Sequence, residues 1–281
     1  MTAFVLAGVL FAALLHALWN ALVKAQPDKF SAAALVAIGA GAIAIPIMFY
    51  LPPPPAAAWP FIAASSVIHV GYFALVGFAY RTADLGVAYP LTRGSAPPLT
   101  ALLAFLIAGE TLAFNQWLSV FVIAAGIVAL SADALLRGGL TRATALAAFA
   151  NAGVIVVYTL VDGLGARAAG SGLVYVAWML AGTAILLVVQ MLAIRGTGFL
   201  AAARAGWLFG LCAGGLSLAS YSIALWAMTL APIGLVAALR ETSVLFAAIL
   251  GALLFGESFG IKRWLALVLI VAGVVALRLN G

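Results

Sequence analysis

Two stretches of this chain repeat one another. Residues 92–130 align with residues 239–277 without a gap, and polar and bulky residues recur in register along with the apolar ones. The recurring residues are an arginine, a glycine–glutamate pair, a tryptophan and an alanine–glycine pair, at Arg93 and Arg240, Gly109-Glu110 and Gly256-Glu257, Trp117 and Trp264, and Ala125-Gly126 and Ala272-Gly273. Leucine and alanine matches arise by chance between apolar segments, but an arginine and a tryptophan in register do not. The chain is therefore predicted to contain two copies of one unit.

Apolar runs long enough to cross a bilayer recur along the whole chain. A spanning helix needs roughly 20 apolar residues, and here 67% of the residues are hydrophobic and only 7% are charged. No water-soluble fold can bury that much apolar surface. We therefore predict an all-α integral membrane protein embedded in the lipid bilayer. The net charge of +6 lies in the loops, where Lys and Arg set orientation, so we expect no nucleic-acid partner.

The apolar runs and the connectors between them predict ten transmembrane helices, five in each copy. Because five is odd, the second copy enters the membrane from the opposite side, as in transporters built from inverted repeats. The first repeat is assigned to residues 1–136 and the second, inverted repeat to residues 137–281. Two such halves surround a central cavity that opens to one side at a time, so the architecture predicts an alternating-access transporter that works as a monomer. Lys and Arg residues concentrate on the side of the 132–142 link, which predicts that the link is cytoplasmic and that both termini lie outside.

The fourth predicted span carries Pro97 and Pro98 in its middle. Each proline removes a backbone donor and disfavours the helical state of the residue before it, so we expect a kink or a break there. In lipid such a break persists only where protein or a wet cavity satisfies the freed carbonyls.

Arg93 and Arg240 lie well inside the fourth and ninth predicted spans. An arginine at a helix centre costs roughly 2.5–3.5 kcal/mol on insertion scales, so each guanidinium is expected to face a partner or water. Either one could bind an anionic group such as a carboxylate. Alternatively, one of them is tied to Glu241, or to carbonyls freed by the prolines, and only holds the fold. The binding role is preferred for Arg93, and the two roles are balanced for Arg240.

Other polar and aromatic side chains share helix faces. His16 and Asn20 are one turn apart with Trp19 beside them, and His69 and Tyr72 share a face of the third span. Aromatic rings can hold an apolar side chain or, by cation–π contact, an ammonium group. The predicted substrate-binding residues are His16, Trp19, Asn20, His69, Tyr72, Tyr89, Arg93, Tyr158, Trp178, Tyr221, Arg240 and Ser243.

Each of these assignments has a structural alternative. A lone histidine in a helix bundle is commonly an interhelical hydrogen-bond donor, and aromatic residues near span ends form interfacial belts. Asp162 is either a solvated helix end or part of a cavity wall. Glu110 and Glu257 follow helix-stopping glycines and are interpreted as structural. Neither histidine has a second ligand at metal spacing, and we expect no metal, no cofactor and no catalytic residue.

Three segments resemble one known family. The run HALWNALVK at 16–24, the run ALRETSVLFA at 238–247 and the paired Gly–Glu turns are similar to the ten-helix EamA-type branch of the drug/metabolite transporter superfamily. The resemblance covers essentially the whole chain. It implies a multi-pass carrier of small metabolites in the bacterial inner membrane, commonly an exporter, with termini usually drawn inside. Within that branch the chain is similar to the bacterial amino acid exporters that include the aromatic amino acid exporter, which implies an amino acid substrate.

Two other function classes stay open at this point. An intramembrane enzyme acting on lipid-linked groups would need acids, histidines or a nucleophile clustered on one face, whereas the few acids here are scattered over different helices. A channel or a purely structural membrane subunit is disfavoured by the two intramembrane arginines. Saturable flux, ohmic current or lipid turnover would distinguish the three.

Overall fold

The computed structural model describes residues 1–82, 85–130, 141–256 and 260–279, with the side chains at 73, 74, 76–82, 85–90, 255, 262 and 279 left out of the description. Over these residues the chain is helical and contains no β-strand. The helices are α1 (Ala3–Lys24), α2 (Lys29–Met48), a 3₁₀ turn (Ala56–Ala58), α3 (Trp59–Thr82), α4 (Leu85–Ala108), α5 (Phe114–Ala129), α6 (Arg142–Ala168), α7 (Gly172–Arg195), α8 (Thr197–Leu230), α9 (Ile233–Arg240), α10 (Ser243–Phe255) and α11 (Ile261–Leu279).

Seven segments of the described chain are long enough and apolar enough to cross a membrane. They are Ala3–Lys24, Lys29–Met48, Leu91–Ala108, Arg142–Ala168, Gly172–Arg195, Thr197–Leu230 and Ile233–Leu254. Helix α5 is apolar but shorter. The prediction of an all-α membrane protein with several spans is confirmed, while the number ten stays a prediction.

Helix α2 packs closely between α7 and α8. Small residues make this possible, because on α8 Gly210 and Gly214 face the backbone of α2, and on α2 Gly41 faces Leu180 of α7. A Cβ added at Gly214 would lie 2.7 Å from the carbonyl carbon of Gly39. Gly206, Gly210 and Gly214 recur at intervals of four in the sequence, which predicts a close neighbouring helix, and the structure places the backbone of α2 there.

Helices α5 and α11 meet in a reciprocal contact. Gly126 of α5 lies against Ile270 of α11, and Gly273 of α11 lies against Ile123 of α5. In the alignment of the repeats, Gly126 corresponds to Gly273 and Ile123 to Ile270. The same two positions thus form both halves of the contact, which is the pattern produced by a two-fold axis.

The glycine of each repeated Gly–Glu turn ends a helix. Gly109 has φ +64° and Gly256 has φ +66°, the left-handed conformation that glycine adopts without a Cβ penalty. Gly109 was predicted to stop the fourth span, and this is confirmed.

Of the kink or break predicted at Pro97 and Pro98, the break is wrong, because α4 continues through both residues, and the kink stays a prediction. Proline has a helix-compatible φ, so two missing hydrogen bonds do not end a helix whose flanking turns are intact. The break lies instead in the second copy, between Arg240 at the end of α9 and Ser243 at the start of α10. The Thr242 amide and hydroxyl both donate to the carbonyl of Leu239 there, at 3.1 and 2.6 Å, closing a tight turn.

Helix α2 begins at the cap residue Asp28, in the connector after α1. The Asp28 carboxylate accepts hydrogen bonds from the amide and hydroxyl of Ser31 and lies 3.3 Å from Arg195. Partial burial raises the pKa of Asp28, but the hydrogen bonds from Ser31 and the charge of Arg195 outweigh it and hold this pKa below its ordinary value.

Candidate functional site

An ion pair at the core of the bundle joins the two halves of the sequence. Nη1 of Arg93 on α4 lies 2.9 Å from Oε1 of Glu241, which follows α9. Nη2 of Arg93 lies 3.0 Å from Nε2 of His16 on α1. Because a guanidinium only donates, His16 Nε2 accepts, and the ring is neutral with its hydrogen on Nδ1. Three helices are therefore tied together by one arginine.

Glu241 occupies the break between α9 and α10. Non-helical backbone in a membrane helix persists where it is buried in protein, and Glu241, Thr242 and Ser243 are 6%, 1% and 3% exposed. Although Oε1 binds Arg93, Oε2 of Glu241 is buried without a hydrogen-bond partner in the described structure. One carboxylate oxygen is thus committed and the other is open.

A second polar group is centred on Asp162 of α6, which is fully buried. Its Oδ1 lies 2.9 Å from the hydroxyl of Tyr175 on α7, which also reaches the carbonyl of Phe61 at 3.1 Å. Its Oδ2 accepts a hydrogen bond from the hydroxyl of Tyr221 on α8. Both carboxylate oxygens of Asp162 are therefore occupied, and the interpretation of this residue as a solvated helix end is wrong.

Arg240 lies over the ring of Tyr221, with Cζ 5.0 Å from the ring centroid. This distance is that of a cation–π contact. No carboxylate of the described residues lies within salt-bridge distance of Arg240. The alignment of the repeats explains the difference from Arg93, because the position that corresponds to Glu241 in the first copy is Gly94.

Aromatic rings connect α3, α6 and α8. The His69 ring on α3 lies 4.7 Å from Tyr158 on α6 and 6.2 Å from Tyr221 on α8, and Tyr72 lies 5.8 Å from Tyr158. Nδ1 of His69 lies 2.9 Å from the carbonyl of Ser65, one turn earlier. Three of the predicted aromatic residues, Tyr72, Tyr158 and Tyr221, are thus brought together with His69.

The remaining predicted residues have mixed positions. Trp19 contacts the His16 ring at 4.9 Å, and Asn20 donates its amide to the carbonyl of His16 at 2.7 Å, which makes Asn20 a local helix contact. Trp178 packs on Trp59, the first residue of α3, with the ring centroids 4.9 Å apart. Ser243 is buried at the start of α10. The side chain of Tyr89 lies outside the described residues.

Glu110 forms a different kind of contact, between helix ends. Its carboxylate accepts from the amide of Ile233, at 3.0 and 2.8 Å, and lies 2.5 Å from Arg167. Arg167 also donates to the carbonyls of Met228 and Ala231. The structural interpretation of Glu110 agrees with this geometry, but the helix that it caps is α9 and not the next helix, α5. Glu257 lies outside the described residues.

Three important residues were missed or left undecided in the sequence. Glu241 was considered only as a partner for an arginine, and Tyr175 and Arg167 were not assigned to any site. Glu241 could have been found, because an acid present in one copy and replaced by Gly94 in the other breaks the repeat. No comparable signal marked Tyr175.

The described residues form neither a metal site nor a charged lining in their apolar groove. Among them, no group of three His, Cys, Asp or Glu side chains converges on a point where a metal could bind. An apolar groove of about 430 Å³ lies between α10 and α11, lined by Leu245, Ile249, Trp264 and neighbouring apolar residues. It offers no charged group to a polar solute.

Comparison with known proteins gives three similarities. The family model for the EamA-like transporter family matches residues 142–279. The multidrug resistance protein EbrB of Bacillus subtilis (strain 168) is 35% identical over 74 residues, which make up 26% of this chain and 62% of that protein, so the match spans less than two thirds of the relative. A solved structure described only as "Crystal structure of protein" superposes with a TM-score of 0.74 at 21% identity over 100% of both chains, a similarity of fold. The resemblance found in the sequence is thereby confirmed over residues 142–279, which match the model of the EamA-like transporter family.

Proposed function

We propose that this chain is a secondary transporter that exports small metabolites, with amino acids as the best-matched substrates, across the bacterial inner membrane by alternating access. The observation that carries the proposal is Arg240, an intramembrane arginine that stacks on Tyr221 and has no carboxylate partner among the described residues. A cation in that position is costly unless it faces water or an anionic ligand. A substrate carboxylate supplies the missing charge.

The inverted-repeat architecture, with residues 1–136 and 137–281 as the two halves, is part of this proposal. The reciprocal contact of α5 and α11 supports it. The contacts of the other helices support it as well. The contact of α1 with α8 recurs as the contact of α6 with α3, and the contact of α4 with α6 recurs as the contact of α10 with α1. Each pair is exchanged for its counterpart when the halves are swapped. A carrier of this design changes sides by exchanging the conformations of its halves.

The roles of the two arginines differ from the first expectation. Arg93 is neutralised by Glu241 and so is the better candidate for holding α1, α4 and α9 together. Arg240 becomes the carboxylate-binding residue. His69, Tyr72, Tyr158 and Tyr221 form the aromatic wall beside it, suited to an apolar side chain. We propose that the carrier works as a monomer and needs no cofactor.

Flux measurement in proteoliposomes tests this function. Vesicles loaded with labelled phenylalanine should release it in a saturable way that unlabelled amino acids inhibit. Arg240→Gln should reduce this flux at least tenfold, because the substrate carboxylate loses a charged partner worth about 1.5–3 kcal/mol. Arg204→Gln is the matched control, since Arg204 is an exposed arginine on the same helix, α8, as Tyr221.

Other outcomes would redirect the assignment. Ohmic current would indicate a channel, and lipid turnover without flux would indicate an enzyme. The name of the EbrB relative favours drugs as the second candidate substrate class. Transport of a lipophilic cation that is unaffected by Arg240→Gln, together with no amino acid flux, would select that class.

A further inference from the structure

We propose that Oε2 of Glu241 binds the cationic group of the substrate, which makes this a site for zwitterions. This role rests on the proposed function, and it adds Glu241 and a positively charged ligand group, neither of which the proposed function assigns. It depends on one observation, a buried carboxylate oxygen without a hydrogen-bond partner in the described structure, and on the charges around it.

The open oxygen is energetically costly as it stands. Glu241 is 6% exposed, so Oε2 has lost its hydration, and a buried polar atom without a partner costs about 1–3 kcal/mol, more when it is charged. The Arg93 guanidinium offsets the charge through Oε1 but does not bind Oε2. A ligand group that carries several hydrogen-bond donors, such as an ammonium, would supply the partner that Oε2 lacks.

Asp162 offers no equivalent position. Its two oxygens already accept from the hydroxyls of Tyr175 and Tyr221. In the group of clustered residues that the structure describes, Glu241 is therefore the carboxylate with an oxygen left for a ligand.

Arg240, the residue before Glu241, points to a ligand that carries both charges. Arg240 ends α9 and Glu241 follows it; among the described residues Arg240 has no carboxylate partner, and Oε2 of Glu241 has no hydrogen-bond partner. An α-amino acid carries its carboxylate and its ammonium on one carbon. Such a ligand offers a carboxylate to Arg240 and an ammonium to Glu241, a charge of opposite sign in each case. Trp19 adds a buried ring N–H without a partner beside His16, a further donor available to a ligand acceptor.

Three probes with the same apolar side chain isolate the ammonium. Phenylalanine carries both charges, 3-phenylpropanoate lacks the ammonium, and phenethylamine lacks the carboxylate. Binding of each is measured by tryptophan fluorescence on the purified full-length protein, as wild type, Glu241→Gln and Asp28→Asn. Glutamine keeps an oxygen that accepts from Arg93 but presents an amide N–H₂ in place of Oε2. Asp28→Asn makes the same chemical change on the connector between α1 and α2.

Wild-type protein should bind phenylalanine at least tenfold more tightly than 3-phenylpropanoate. Glu241→Gln should lower affinity for phenylalanine and phenethylamine about tenfold or more, leave 3-phenylpropanoate within about twofold and so remove the preference. Asp28→Asn should preserve it. Equal wild-type affinity for phenylalanine and 3-phenylpropanoate, or a preference that survives in Glu241→Gln, would overturn the inference.

Flux measured on the same preparations separates the two proposals. Ammonium-dependent binding without flux would refute the transport function and leave the Glu241 subsite standing. Flux of phenylalanine with an intact ammonium preference in Glu241→Gln would refute the subsite and leave transport standing. If Glu241→Gln does not fold, it will also fail to bind 3-phenylpropanoate. In that case Glu241→Asp, which keeps the negative charge, is tested and should still bind phenylalanine more tightly than 3-phenylpropanoate. Equal affinity of Glu241→Asp for the two compounds would count against a role for the charge.

Discussion

Removing the Arg93 side chain should destabilise the protein through the charge that it leaves behind. From the sequence we expect Arg93→Ala to abolish transport and to leave folding and insertion intact. The structure changes the second half of that expectation, because Arg93 and Glu241 are paired at 2.9 Å with side chains only 11% and 8% exposed. Removing one partner of a buried pair costs about 3–5 kcal/mol. The hydrogen bond to His16 adds about 1 kcal/mol.

A double-mutant cycle measures this coupling. Arg93→Ala should lower the free energy of unfolding in detergent by about 3–5 kcal/mol. Glu241→Gln should cost less, because the amide still accepts from Arg93. The double variant carries no unpaired charge, so it should be more stable than Arg93→Ala alone, with an interaction free energy of about 1–3 kcal/mol. Unfolding is followed by denaturant titration with tryptophan fluorescence as the readout.

The result that refutes this reasoning is additivity. If the cost of the double variant equals the sum of the two single costs within about 0.5 kcal/mol, the two side chains do not interact in the folded protein. Arg204→Ala serves as the control for loss of an exposed arginine and should change the free energy of unfolding by less than about 0.5 kcal/mol.

Three further predictions concern the scaffold. Arg167→Gln should lower the free energy of unfolding by about 1–3 kcal/mol, because it breaks the ion pair with Glu110 and two hydrogen bonds to carbonyls. A loss below about 0.5 kcal/mol would show that these contacts do not stabilise the fold. Gly214→Ala should lower the free energy of unfolding by about 1–3 kcal/mol, because the new Cβ would overlap the backbone of α2. Gly215→Ala, whose Cβ would lie 3.5 Å from the nearest atom, Cδ1 of Ile43, should leave stability unchanged. Equal thermal stability of the two variants would contradict the close packing. Because the pKa of Asp28 is lowered, its contribution to the free energy of unfolding is present above its ordinary pKa of about 4 and is lost as the pH falls through the lowered value. The difference in stability between wild type and Asp28→Asn should therefore vanish in acid. A difference that persists at pH 2 would exclude titration of Asp28 as the cause.

The sequence predicted the features that depend on composition and local spacing. Helical membrane spans follow from apolar runs of about 20 residues, and the close approach of α2 to α8 follows from the glycines at 206, 210 and 214. The stop at Gly109 follows from the conformational freedom of glycine. Each of these requires only a short stretch of chain.

The site required distances between residues far apart in the sequence. His16 lies on α1, Arg93 on α4 and Glu241 in the break between α9 and α10, and nothing in their local sequences determines which arginine pairs with the acid. The break was misplaced for a related reason. Prolines in α4 are a local signal, whereas the break after Arg240 is stabilised by burial and by the bond from Arg93, which comes from the other copy.

In the proposed carrier, the asymmetry between the copies connects ligand binding to movement. Both copies carry the arginine, but in the described residues only the second carries the acid and the broken helix, and the buried ion pair of Arg93 with Glu241 joins the first half to the second at that break. A ligand cation on Oε2 of Glu241 draws on the same negative charge that holds Arg93. Occupancy therefore weakens a bond that crosses the interface between the halves, and it does so only in the conformation where that bond exists. A ligand shifts a conformational equilibrium by its difference in affinity for the two states, and competition for a single carboxylate supplies such a difference.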